Sequence, residues 1–348
     1  MRKGYIRKII VGFLVASCSF INQATAQETS DSTRHSSFSL EYVGEIQSDF
    51  KHAKFVNHLH LRANLPITKR LTAEIASVSA VTTDEKSLID NLQGYSNIDA
   101  ENTPFALAVA GLSWQIDEHN NLFAGIRRMD EDYFCTDLLS LFTNSTCGGF
   151  PTVTANYDIA AYPMAAVGVH YAYEHDNFGI QASVYNGTGH NRFYGGANVF
   201  RFCPKSDGVF VLAQTEYRKG ESSYYLGGSV HYSDLYASAP RRPRPIVWTY
   251  AEQSINDHFA VIAAYSHAFS TYNDCRNFCA VGGRYSLGRA TLGVFSDYTR
   301  IAGVDEWATE LTCNVACSKA ISLQPTLHII NTDGNTACVA MLRLAVCL

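Results

Sequence analysis

The sequence predicts an all-β chain, a transmembrane antiparallel β-barrel of sixteen strands whose third outer loop folds inward. Three observations carry this. The chain breaks into segments of roughly ten residues in which apolar and polar positions alternate. The connections are sorted by parity, tight after even-numbered segments and generally longer after odd ones, as short periplasmic turns and long outer loops require. An export signal precedes the segments, and no later stretch reaches the ~18 consecutive apolar residues of a membrane helix.

The segments run in order as Phe38–Gln47, Phe55–Leu65, Arg70–Ala80, Phe105–Ile116, Asn121–Met129, Pro163–Tyr173, Asn177–Asn186 and Asp207–Tyr217. They continue as Ser222–Tyr232, Pro245–Ser254, Asp257–Ala268, Asn277–Ser286, Arg289–Tyr298, Asp305–Asn314, Lys319–Ile330 and Ala337–Leu348. In the first, Phe38, Leu40, Tyr42 and Ile46 oppose Ser39, Glu41, Glu45 and Gln47; in the second, Phe55, Leu59, Leu61 and Leu65 oppose His58, His60, Arg62 and Asn64. Alternation alone fits a soluble sheet equally well. Strand number, signal and loop parity select the barrel, with its apolar face outward and its polar face lining the lumen.

Arg2, Lys3, Arg7 and Lys8 precede the apolar run Ile9–Phe20, and Ala24-Thr25-Ala26 is a small-x-small cleavage site. Residues 1–26 therefore read as a signal peptide, 27–37 as a short lead-in and 38–348 as the barrel, in the outer membrane of a Gram-negative cell. Val15-Ala16-Ser17-Cys18 also fits a lipoprotein box, with lipidation at Cys18 as the other reading. Cleavage after Ala26 removes four basic and no acidic residues and takes the formal net charge from −5 to −9, which argues against a nucleic-acid partner. Charged residues are 17% of the chain, against about 25% in soluble proteins.

The longest connection, Asp130–Tyr162, carries Asp130, Glu131, Asp132, Asp137 and Asp158 and no Lys or Arg. Long loops inside compact proteins are commonly functional. As the third outer loop, it would set an acidic face against wall residues of inner parity: Arg62, Arg284 and Arg343, with Glu41, Glu45, Glu74, Glu216 and Glu310 on the same parity. Arg127 and Arg128 stand where the fifth strand meets the loop, and alternation turns one of them inward. Such a charge arrangement either selects solutes or merely solvates a wet lumen. Tyr133, Phe134, Phe142 and Phe150 either stack on sugar rings or pack the loop against the wall, and packing is the better reading.

Other constellations are weaker. His58 and His60 share a strand face but have no third ligand, and neither G-x-S-x-G nor H-E-x-x-H occurs, so neither a metal, a cofactor nor an enzymatic activity is expected. Cys135 and Cys147 are spaced to close the long loop by a disulfide, although nine cysteines in the mature chain leave one over. Gly187-Thr188-Gly189-His190 lacks the Lys-Ser/Thr and helix of a phosphate cradle. Pro240–Pro245 is a basic, proline-rich outer loop that could meet lipopolysaccharide phosphates or simply be stiff and solvated.

Around the long loop, Leu122-Phe123-Ala124-Gly125, Asp130-Glu131-Asp132-Tyr133-Phe134, Leu141-Phe142-Thr143-Asn144-Ser145, Gly148-Gly149-Phe150-Pro151-Thr152, Tyr162-Pro163 and Ala166-Val167-Gly168 follow one another. This run of about fifty residues resembles the carbohydrate-selective porin (OprB-type) family, in particular its compact members from Bacteroidetes-type bacteria. The resemblance implies a sixteen-stranded barrel that passes mono- and oligosaccharides by diffusion, with the long loop as its constriction. It also implies outer-membrane lipid, periplasmic chaperones and the barrel-assembly machinery as partners. Two features depart from the family: the chain ends in Leu348 rather than an aromatic residue, and it has many cysteines. A closed structural or adhesive barrel acting through its outer loops is the alternative.

Overall fold

The structure, a computed structural model, describes residues 35–233 and 242–348. The export signal, the lipoprotein box and part of the Pro240–Pro245 stretch lie outside them.

Sixteen strands close into one antiparallel barrel, each paired with its sequence neighbours and the first with the last. They are β1 (Ser37–Ser48), β2 (Ala53–Pro66), β3 (Leu71–Thr82), β4 (Thr103–Gln115), β5 (Asn120–Arg127), β6 (Ala166–His175), β7 (Phe178–Asn186) and β8 (Val209–Lys219). The second half comprises β9 (Ser222–Tyr232), β10 (Arg244–Ser254), β11 (Phe259–Ala268), β12 (Cys275–Leu287), β13 (Ala290–Ile301), β14 (Val304–Ala316), β15 (Ile321–Thr332) and β16 (Asn335–Cys347). Every expected segment is a strand. Closure satisfies the edge of each, since β1 pairs with β16 through registers such as Glu45↔Arg343, and it leaves no open edge in a medium that cannot hydrogen-bond. No helix among the described residues is long and apolar enough to cross a membrane.

The faces follow the alternation. On β2, Phe55 and Leu65 point outward, 38% and 42% exposed, while His58, His60 and Arg62 point inward and are buried. Loop parity is looser than expected, because three outer connections (49–52, 302–303 and 333–334) are as tight as those at the other end. Ala302-Gly303 and Asp333-Gly334 are two-residue turns with both φ values positive (50° and 90°; 49° and 85°), the geometry that matches strand twist in a hairpin. Among the described residues, the long outer connections fold in or over the rim: loop 2 (83–102), loop 3 (128–165) and loop 4 (187–208). Loop 3 is wider than the sequence indicates because β5 ends at Arg127, where Met129–Glu131 winds into a 3-10 turn, and β6 begins only at Ala166.

The inner wall is not polar throughout. On β8 and β10–β13 it presents Phe210, Leu212, Ile246, Trp248, Tyr250, Ile262, Phe278 and Phe295, and loop 3 lies on it with Met129, Leu138, Leu139, Leu141, Phe142, Phe150 and Val153 as one buried core. Over these stretches the strands are apolar on both faces, as buried strands are. Across β4, β5 and β6 the glycines Gly111, Gly125 and Gly168 stand in register. A Cβ on Gly168 would lie 2.4 Å from the Tyr185 ring, and one on Gly111 2.5 Å from the Phe123 ring, so the row lets both rings lie flat on the inner wall.

Candidate pore constriction

Loop 3 leaves β5 at Arg127 and turns at once, which places five charged residues, Arg127, Arg128, Asp130, Glu131 and Asp132, against the wall of β2 and β3. Arg127 grips Asp132 with Nε and Nη2 (2.7 and 2.6 Å) and donates through Nη1 to Glu74 of β3 at 3.1 Å. Glu74 lies 3.9 Å from Arg62 of β2, which in turn donates to Glu131. Glu131 also accepts from Arg128 at 2.5 Å, and the Arg128 Nε stands 3.5 Å from Asp130. The result is a continuous alternation, Asp132–Arg127–Glu74–Arg62–Glu131–Arg128–Asp130. The Arg128 guanidinium lies 5.6 Å over the Tyr162 ring, and the backbone N–H of Tyr162 donates to Asp130 at 3.1 Å. His170 approaches Asp132 at 3.6 Å and shares Ser183 with the Tyr133 hydroxyl.

Arg62, Glu74, Arg127 and Arg128 are each between 6% and 7% exposed, so these are fork-and-carboxylate pairs in a confined space, where such hydrogen bonds are strong. Burial alone would raise the Glu131 carboxyl, but Arg62 and Arg128 override it and hold it well below the usual carboxylate range. Its contribution to stability is therefore kept above ordinary carboxylate pH and lost only as pH falls through that lower value.

Loop 2 supplies a second set of residues that sequence reasoning missed. Arg343 of β16 donates to Glu45 of β1 (Nε, 2.6 Å) and to Asn97 of loop 2 at 2.6 Å, while Ser96 donates to Glu45 at 2.7 Å. Lys54 of β2 pairs with Asp99 at 2.6 Å. Loop 2 is stitched to loop 3 through the Asn97 N–H to Thr143 carbonyl bond, 2.7 Å, and the Ser145 N–H to Gly94 carbonyl bond, 3.2 Å. Its 20-residue length was the available signal.

Three buried wall carboxylates latch both loops. Glu306 accepts the Leu92 and Gln93 N–H groups (2.6 and 3.0 Å), Asp297 accepts Gln93, Asn144 and Thr146 side chains, and Glu310 accepts the Thr143 and Asn144 N–H groups at 2.9 and 3.0 Å. None of the three has a Lys or Arg ion-pair partner among the described residues. Glu310→Gln would put an amide N–H₂ where an oxygen accepts, leaving a loop N–H without a partner at a cost of about 1–3 kcal/mol. The expected readout is a lower unfolding midpoint and noisier open-channel current; unchanged noise and midpoint would refute the latch.

The structure corrects several expectations. Acidic loop and basic wall do not face each other across an open gap, since Glu131 and Asp132 close directly onto Arg62, Arg127 and Arg128. Arg284 stands apart on β12, near enough to Asp137 and Glu252 to act on both but outside the alternating chain. Glu41 is half-buried on β1, also outside the chain, and Glu216 accepts from Tyr225 at 2.9 Å. Tyr133 and Phe134 follow the packing reading rather than the stacking one: they are 0% and 2% exposed and belong to the loop's core, Phe134 lying 5.3 Å from Trp248 and 4.6 Å from Phe150. The apolar wall draws them away from any solute path. Cys135 and Cys147 are not bonded to each other: Cys135 donates to the Asp130 and Tyr133 carbonyls (3.0 and 3.2 Å), whereas Cys147 is buried in the core of loop 3. Among the described residues no group of three His, Cys, Asp or Glu is placed to hold a metal.

A closed barrel of sixteen antiparallel strands with a loop folded into its lumen is the architecture of outer-membrane porins, and comparison with solved structures agrees. OprB of Pseudomonas putida in its high-pH structure is similar over 90% of this chain and 94% of its own, with a TM-score of 0.77 at 14% identity. The anion-selective porin of Comamonas acidovorans (90% and 100% covered, TM-score 0.61, 11% identity) and OmpT of Vibrio cholerae (92% and 100%, 0.61, 12%) are similar as well. No protein-family model and no curated protein matches the chain.

Proposed function

We propose that the chain is a non-enzymatic outer-membrane porin of the OprB type, exported by its N-terminal signal, through which small carbohydrates diffuse passively. The observation that carries this is the alternating chain of three guanidiniums and four carboxylates from Asp132 to Asp130. Paired in contact, these charges largely cancel at a distance, so they hold little field with which to drive small ions. At close range they offer donors and acceptors in succession, which is what a neutral polyol, a donor and an acceptor at every hydroxyl, can exchange for its water shell. The sequence resemblance around loop 3 and the fold similarity support the same reading.

Proteoliposomes are expected to swell faster than empty vesicles in isotonic arabinose, xylose and glucose, with a smaller gain in gluconate of similar size. Equal swelling with and without protein would remove the sugar reading. Faster swelling in gluconate than in glucose would make it an anion channel instead. A closed, adhesive or structural barrel is favoured by one observation: loops 2 and 3 both fill the lumen, and Arg62, Glu74, Arg127 and Arg128 of the charged chain are each less than a tenth exposed. Removal of loop 3 separates the two readings.

A further inference from the structure

Loop 4 does not fold inward. Ala165 and His190 exchange backbone hydrogen bonds at 2.8 and 3.0 Å, which carries residues 191–202 over the rim and down the outside of the barrel. There Val199 is buried against Ile126, with Leu107, Ala110 and Val167 around it, all outward-facing residues of β4, β5 and β6. Phe193 stacks on Phe105 of β4 with ring centroids 5.5 Å apart, and Phe200 follows at 6.3 Å from Phe193. The loop is clasped from behind by Asp207, which takes Arg201 at 2.8 and 3.0 Å and Asn186 at 2.9 Å.

What this strap leaves outside is apolar and basic. Phe193, Tyr194, Phe200 and Phe202 are 38%, 76%, 57% and 63% exposed and continue the outward apolar band that includes Phe105, Val169 and Val184. Asp207, the loop's only acid, is committed to Arg201, while Arg192 and Lys205 are exposed without an acidic partner among the described residues.

We propose that loop 4 is a lipid-docking strap for a phosphorylated lipid of the outer leaflet. Phe193, Tyr194, Phe200 and Phe202 enter the boundary with the acyl chains, and Arg192 and Lys205 take the phosphate. Continuity with the lipid-facing band sets the depth, and the unopposed positive charge sets the headgroup. A second copy docking through the same patch would bring Arg192 and Lys205 against their own kind, which is unfavourable. The inference rests on the odd-numbered connections lying at the outer face and not on what the channel passes.

The test uses the whole barrel in zwitterionic nanodiscs, titrated with diphosphoryl lipid A and read by native mass spectrometry. R192Q/K205Q is expected to bind about 30-fold more weakly, the worth of two surface charges, with unchanged heat-modifiable mobility and conductance. F193S/Y194S/F200S/F202S is expected to lose binding further, while K69Q, at the opposite end, binds as wild type. Equal lipid A binding in wild type and R192Q/K205Q overturns the proposal, as does equal loss in K69Q. An oligomer that wild type forms without lipid A and R192Q/K205Q does not would assign the strap to a second copy. Because R192Q/K205Q alters only exposed side chains, it remains informative if the aromatic variant fails to fold.

Discussion

Replacing residues 135–154 with a short glycine–serine link is expected to raise single-channel conductance severalfold. That stretch holds Leu138, Leu139, Leu141, Phe142, Phe150 and Val153 and lies against Trp248, Tyr250, Phe278 and Phe295 within the lumen. A sixteen-stranded barrel encloses an aqueous channel unless something fills it, and this segment is a large part of what does. The deletion leaves the alternating charges from Asp130 to Asp132 in place, so the gain comes from cross-section rather than from charge. It also bares wall aromatics to water at about 1.5–3 kcal/mol each, so lower stability should accompany the larger current. The strand ladder, closed from β1 to β16, still holds the barrel. Conductance equal to wild type in a folded deletion would mean that loop 2 alone seals the path, and a loss of cell-surface adhesion with no change in current would favour the adhesive reading.

Much of this architecture is local and therefore legible. Alternation places Arg62, Glu74, Glu45 and Arg343 on the inner face without any knowledge of their partners, because side-chain direction on a strand has period 2. Which charges then meet depends on closure. Glu45 and Arg343 are 298 residues apart and neighbours only because β16 returns to β1, and Arg62 reaches Glu131 only because loop 3 turns back at Met129. No local pattern encodes such pairs. The apolar inner wall was visible in part: Phe259–Tyr265 runs apolar on both parities, which is the mark of a strand covered on both faces. Read as alternation alone, it concealed the bed on which loop 3 lies. The Asp333-Gly334 turn likewise carried its own signature, a dipeptide that favours two-residue hairpins, against the general expectation that outer links are longer than inner ones.

Arg127→Met is expected to be the most damaging single substitution in the constriction, at roughly 3–5 kcal/mol, because it breaks buried ion pairs by removing one partner only. Asp132 would lose both of its guanidinium hydrogen bonds and keep His170 at 3.6 Å; Glu74 would keep only Arg62, at 3.9 Å. Two carboxylates would then stand in a confined site with one counter-charge less. Arg127→Lys should recover little of the loss, since an ammonium cannot reproduce the planar fork that holds Asp132 and Glu74 together. Arg127→Met with Asp132→Asn should recover more, because the second change removes the stranded charge instead of replacing its partner. The single variant also makes the site one unit more negative, so its reversal potential in a salt gradient should shift toward cations, and the double variant should return it. The measurements are urea unfolding of the heat-modifiable form and zero-current potential across a bilayer. If Arg127→Met unfolds within about 1 kcal/mol of wild type and keeps its reversal potential, the alternating chain neither holds loop 3 nor sets the charge of the passage.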